Sequence, residues 1–202
     1  MKKAVVIIAS LIFFSKAYSQ VDAFKATEIA WYGIDFSKAR LIGSKGFTNP
    51  ADIRSRYFDA WNRLVLKESN KFDIEKFFKK KVIDYDTTLV KKRNALVDVE
   101  RLVIDSDYSF DKNEVQRILN TYGLNAKNGV GLVFIVESFN KLEAKSFIYV
   151  TFFDLSTRKV LFTQRVQGEG RGFSMRNFWG GSILSVMERS YKNLKKWAKQ
   201  QS

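Results

Sequence analysis

The chain contains no cysteine and no histidine, and Pro50 is its single proline. Without thiols or imidazoles there are no disulfides, no thiol nucleophile, no His-based triad and none of the usual zinc-ligand sets. No metal or cofactor is expected, and no catalytic residue set is complete. Beyond the first 20 residues, no apolar run approaches the roughly 20 residues that a membrane-spanning helix needs. Pro/Ser-rich linkers, low-complexity tracts and internal repeats are also missing. Residues 20–202 are therefore expected to form a single α/β domain of ordinary length, held together by its core alone. Aromatic residues, 15% of the chain, supply material for a heavily packed interior or for apolar ligand walls.

What is present begins with an export signal. Lys2 and Lys3 precede a low-polarity run from Ala4 to Phe14, and Ala17-Tyr18-Ser19 places small residues at the −3 and −1 positions of a cleavage site. Residues 1–19 are read as a signal peptide and Gln20 as the mature N-terminus. With no cysteine after the apolar run, lipidation is excluded. The expected location is the periplasm or outer envelope of a bacterial-type cell.

The formal charge is +14, or +11 once Lys2, Lys3 and Lys16 leave with the signal. The excess is uneven: Arg158 to Lys199 carries ten Lys/Arg against Glu169 and Glu188, a local +8. In an exported protein such a balance points away from nucleic acid and toward anionic lipid headgroups, lipopolysaccharide and acidic polymers, or serves solubility alone.

Ile29 to Ile42 is rich in Ile, Trp, Tyr and Phe and is expected to hold the first strand. Asn49 and Pro50 form a helix start, followed by Ile53, Tyr57, Trp61, Leu64 and Val65 at helical spacing to about Glu68. The stretch 71–99 is the least regular. It holds a short helix after Asp73 with Phe77 and Phe78, a brief strand at Val82 to Asp86, and an exposed Lys91-Lys92-Arg93. Val99 to Ile104 is read as a strand. Asp111 and Glu114 have capping-box spacing ahead of an apolar face of Val115, Ile118, Leu119 and Tyr122, with Gly123 as the C′ residue. Gly131 to Val136 reads as a strand buried on both faces. Phe147 to Phe153 and Val160 to Val166 form a hairpin across the polar turn Asp154 to Lys159. A last helix carries Ile183, Val186, Met187, Tyr191, Leu194 and Trp197 on one arc and basic residues on the other. The fold class is α/β or α+β: one mixed sheet with packed helices, and a C-terminal hairpin followed by an amphipathic helix.

Three motifs bear on chemistry. Asp105 to Asn113 alternates oxygen-bearing residues as a calcium loop does, but Phe110 stands where the turn glycine belongs and Gln116 where the bidentate glutamate belongs. Helix capping by Asp111 explains the same residues. Gly168-Glu-Gly170-Arg-Gly172 lies between a strand and a helix, as phosphate loops do, without a Walker or dinucleotide pattern. The candidate anion contacts are Arg171 and Arg176 there, with Lys192, Lys195 and Lys199 on the basic face of the last helix. Asp35, Asp84, Asp86, Asp105 and Asp107 lie near strand ends, and acid–base catalysis would need two of them to converge. The last helix is expected to dock on the sheet, with Leu194 and Trp197 in the core, rather than lie on a membrane.

The strand Gly131-Leu-Val-Phe-Ile-Val136, the hairpin Tyr149-Val-Thr-Phe-Phe-Asp154-Leu-Ser-Thr157-Arg-Lys-Val160-Leu-Phe-Thr, the Gly168-Glu-Gly170 segment and the closing helix come in a characteristic order. That order resembles the small periplasmic α/β modules of envelope accessory proteins: the N-terminal domain of the Tol-system propeller protein, the periplasmic domain of the curli secretion channel, and lipoprotein activators of penicillin-binding proteins. The chain departs from them in lacking a lipidated cysteine and in carrying an insertion around Lys71 to Val99. The resemblance implies an accessory role and transfers no catalytic or ligand residue. The leading expectation is a non-enzymatic binding or assembly module of the cell envelope with a protein partner. The alternatives are a carboxylate-dependent hydrolase of an envelope polymer and a carrier of an apolar or anionic lipid.

Overall fold

A computed structural model describes residues 22–124 and 127–201; the expected signal peptide lies outside them. The chain folds as one mixed seven-stranded sheet with helices on both faces. Strands β1 (Glu28–Asp35) and β2 (Arg40–Ile42) both pair in parallel with the same side of β5 (Val130–Asn140), β1 with its first half and β2 with its last three residues. The expected first strand is thus two collinear pieces, interrupted at Phe36–Ala39. Outside them, β3 (Lys81–Tyr85) pairs in parallel with β1 and β4 (Val103–Ile104) with β2. On the other side of β5, β6 (Lys145–Asp154) and β7 (Val160–Glu169) form the antiparallel hairpin read from the sequence. Asp154 organises its turn, accepting from the backbone amides of Ser156 and Thr157.

Asn49 accepts from the Asp52 amide at 3.0 Å and starts a helical segment made of α1 (Pro50–Asp52), a π-helical turn at Ile53–Tyr57, and α2 (Phe58–Lys67). Asp73 caps α3 (Ile74–Phe78) in the same way. Helix α4 (Thr88–Ala95) follows β3. Asp111 caps α5 (Lys112–Asn120) through the Glu114 amide at 3.0 Å, which is the capping geometry expected. This helix ends on Thr121, whose amide donates to the Ile118 carbonyl while the Tyr122 amide donates to that of Leu119, so Gly123 is not needed as a left-handed stop. Of the expected strand at Val99 to Ile104, only Val103–Ile104 is extended. Asp98 accepts from the Glu100 amide and winds Val99–Arg101 into a 3-10 turn instead.

The larger core fills the face under α2, α3 and α6 (Ser174–Gln201). Aromatic side chains pack on one another within it: Phe36 stacks on Phe58 at 4.2 Å, Phe139 on Trp179 at 4.5 Å, and Trp61 meets Phe139 edge-on at 5.2 Å. Along α6, Ile183, Val186, Met187, Leu194 and Trp197 are buried, so the last helix docks on the sheet. Each such apolar side chain contributes about 1.5–3 kcal/mol as an upper bound. Tyr191 departs from the expected arc. It stays 44% exposed, edge-on to Phe77 with the Lys79 amine over its ring. The opposite face carries a smaller core of β1, β5 and β6 side chains under α4 and α5, including Val90, Val115, Ile118, Leu119 and Tyr122.

The glycine motif after β7 is a packing device. A β-carbon on Gly168 would overlap the Ser182 carbonyl, and one on Gly170 would overlap the Phe178 ring. The glycines let α6 approach the strand end closely.

Candidate binding surface

The β1–β2 interruption falls at the carboxyl ends of parallel strands, where ligand sites of open α/β sheets gather. Asp35, the last residue of β1, is fully buried. Its Oδ2 accepts from Arg93 Nε at 3.0 Å and from the Tyr122 hydroxyl at 2.7 Å, and its Oδ1 accepts from the Ser37 amide at 2.7 Å. Arg93 also donates to Ser37 Oγ at 3.0 Å and Thr121 Oγ1 at 2.8 Å, with its guanidinium 4.9 Å from the centre of the Tyr122 ring. The expectation of an exposed Lys91-Lys92-Arg93 therefore holds for the lysines and fails for the arginine. The third residue of the run turns inward because a buried carboxylate needs a cation. Burial, then the neighbouring Asp35 charge, pushes the Tyr122 hydroxyl well above its usual range, which keeps it a donor.

Outward from this anchor lies a hollow of about 460 Å³. Lys38, Arg40, Arg93 and Arg101 line it, with Asp98 as the single carboxylate among its walls. Arg40 is held by the Ala39 carbonyl at 2.9 Å and sits 5.1 Å over the Tyr108 ring. Tyr108 in turn donates to the Lys38 carbonyl at 3.1 Å. Leu96 stands at the rim, 83% exposed.

A second buried carboxylate, Glu137, sits at the β5 register shift between Val136 and Ser138. It accepts from Arg165 Nε of β7 at 2.9 Å and from the Phe110 amide at 3.1 Å. Tyr149 fastens the same loop by donating to the Phe110 carbonyl at 2.6 Å, and the Arg165 guanidinium lies 3.8 Å from the Phe147 ring centre. Glu137 escaped the sequence reading because it extends an apolar run; the break Val136-Glu137-Ser138 was the available signal.

The five strand-end aspartates do not meet. Asp84 pairs with Lys127 at 3.1 Å, Asp86 accepts from the Thr88 amide, and Asp105 accepts from the Ser44 amide at 2.7 Å. Asp107 is exposed. Backbone amides, from Ser44 to Asp105 and from Glu114 to Asp111, hold both carboxyls below the usual range. Of the alternating oxygens of the 105–113 segment, those of Asp105 and Asp111 thus serve separate backbone amides.

The sequence-selected cations are also spread out. Arg171 reaches Glu188 at 3.0 Å and lies near Glu169, while Arg176 reaches Glu68, just past α2, at 3.0 Å. These two point to different carboxylates and do not share a site. Lys192, Lys195 and Lys199 lie exposed along one side of α6. Next to them Arg189, Asn193 and Lys196 face β7 across a groove of about 500 Å³.

No protein-family model matches the chain, and no curated protein matches it in sequence.

Proposed function

We propose that this chain is a non-enzymatic binding or assembly module of the bacterial cell envelope. The observation that carries this reading is the state of Asp35. Of the five strand-end aspartates it alone is fully buried, and its oxygens are committed to Arg93, Tyr122 and the Ser37 amide. A general base needs a lone pair free to take a proton from substrate; this carboxylate instead fixes an arginine in the wall of a cationic hollow. Glu137 does the same for Arg165. The lipid-carrier alternative calls for an aromatic-lined cavity, whereas the large aromatic side chains of the main core pack on one another. The export pattern of residues 1–19 supplies the compartment.

The test uses a photo-crosslinking residue in place of Leu96, at the rim of the hollow, in cells that make the full chain. One discrete envelope-protein adduct is expected, and Arg40→Glu with Arg101→Glu should remove it while the protein stays folded. Absence of any adduct that depends on these arginines would argue against the reading.

A further inference from the structure

Among the described residues the sheet ends on β3 and the two-residue β4 along one side and on β7 along the other, and these edges are built differently. At β3 the edge is five residues long, and the Glu75 carboxylate accepts from the Val82 amide at 2.8 Å, closing off an edge donor. At the other end β7 runs ten residues and pairs only with β6 among the described residues. The Gly170 amide donates to Ala144, on the β6 side. Backbone direction alternates along a strand, so the Gly168, Val166 and Gln164 amides also turn to β6. Those of Thr163, Arg165 and Gln167 face outward. Among the described residues no carboxylate caps this ladder, though the Gln164 side-chain amide donates to the Arg165 carbonyl at 3.2 Å.

Its surroundings give the chemistry of what it accepts. The groove beside the edge is walled by Gln164, Arg165 and Gln167 from β7 and by Arg189, Asn193 and Lys196 from α6. Among the described residues no carboxylate lines it, but Arg189 pairs with Glu169 at the end of β7 and Arg165 with the buried Glu137, so its uncompensated cation is Lys196. The fold has brought together the two halves of the most basic part of the sequence, since Arg158 to Lys199 is β7 followed by α6. Exposed Lys192 and Lys195 extend the positive field along the helix. A second copy paired antiparallel and centred on the outward amides of Thr163, Arg165 and Gln167 would bring Arg165 against Arg165, and like charges across a ladder are unfavourable. A lipid surface offers phosphate acceptors to the outward amides but no donors at strand spacing for the outward carbonyls of Thr163 and Gln167.

We infer that β7 is a docking edge that takes an extended acidic segment of another protein by strand addition. Main-chain hydrogen bonds supply affinity, and Lys196, with exposed Lys192 and Lys195 beside it, selects for carboxylate side chains on the incoming strand. The inference rests on the reading of the chain as a binding module and names the partner at one of its surfaces.

The probe is a ten-residue peptide of alternating Thr and Glu, titrated into the purified protein. Three comparisons accompany it: an alternating Thr and Lys peptide, the acidic peptide with alternate amides N-methylated, and the variants Gln167→Pro and Lys196→Glu. Proline at 167 removes an outward amide only and is tolerated on edges; circular dichroism checks that the variant is folded. The acidic peptide should bind and weaken with salt, and the Lys peptide should not bind. N-methylation and Gln167→Pro should each weaken binding at least about tenfold, and Lys196→Glu several-fold. Hydrogen exchange should slow at Thr163, Arg165 and Gln167. Equal binding of the N-methylated peptide would reduce the site to general polyanion attraction and overturn the inference. So would protection at β3 instead of β7, self-association through β7, or no binding at all. If the peptide fails while the Leu96-position adduct still forms, the docking edge is wrong and the module reading stands; loss of both removes both.

Discussion

The two faces of this sheet bury side chains to different ends. Under α2, α3 and α6 the core is a continuous aromatic and aliphatic mass in which Trp31, Phe36, Phe58, Trp61, Phe134 and Trp179 are all buried. Under α4 and α5 the apolar core is smaller, and β1 and β5 carry the buried Asp35 and Glu137 at its margin. Apolar burial is non-directional and supplies most of the stabilisation. Buried ion pairs add little net stability, because desolvation offsets attraction, but they fix geometry. The comparison teaches that one face holds the fold while the other holds two arginines in set positions facing solvent.

The largest expected effect tests the apolar face. Trp61 is fully buried, touches Phe36 and Phe139, and donates from its indole nitrogen to the Arg176 carbonyl at 3.1 Å. Trp61→Ala should cost about 3–5 kcal/mol in a denaturant melt, a large part of the total stability. A loss under about 1 kcal/mol would mean that this face is not the one that holds the fold.

Next comes the polar face. Arg93→Met leaves a fully buried carboxylate with only the Tyr122 hydroxyl and Ser37 amide, and should cost about 2–4 kcal/mol. Adding Asp35→Asn should recover part of that loss, because the uncompensated charge goes with it. Additive effects in the double variant would show that the pair does not act as a unit.

A smaller effect follows from pH. The Tyr122 hydroxyl titrates well above the free phenol because it is buried and then because Asp35 lies beside it. Its contribution is whole below the unfolded value of 10.0 and is lost as pH rises above it, since the unfolded chain ionises first. Stability should therefore fall on the alkaline side, and Tyr122→Phe should flatten that fall. An unchanged alkaline slope in Tyr122→Phe would contradict the assignment. Smallest of all, Lys192→Gln with Lys195→Gln should shift stability by less than about 0.5 kcal/mol, since both side chains are exposed.

Local rules made much of the fold legible. Asn49, Asp73 and Asp111 each cap the helix that their spacing announces. The hairpin turn and the buried arc of α6 also follow from short-range pattern. What stayed hidden depends on contacts between distant positions. Arg93 looks like one more exposed cation until Asp35, 58 residues away, is brought beside it. Glu137 reads as an interruption until Arg165 crosses from β7. The Gly168–Gly172 segment carries an ambiguous signal because close packing and phosphate cradling both require missing side chains, and only the position of α6 separates them. The groove at β7 was half visible, as a basic run without the strand edge it accompanies.

The central claim is that the buried carboxylates position arginines for binding and do no acid–base work. It is tested most directly by incubating the purified protein and its Asp35→Asn variant with isolated envelope polymer and measuring soluble product. No product above background from either protein is the predicted result. Product released by the unaltered chain and abolished in a folded Asp35→Asn variant would contradict it.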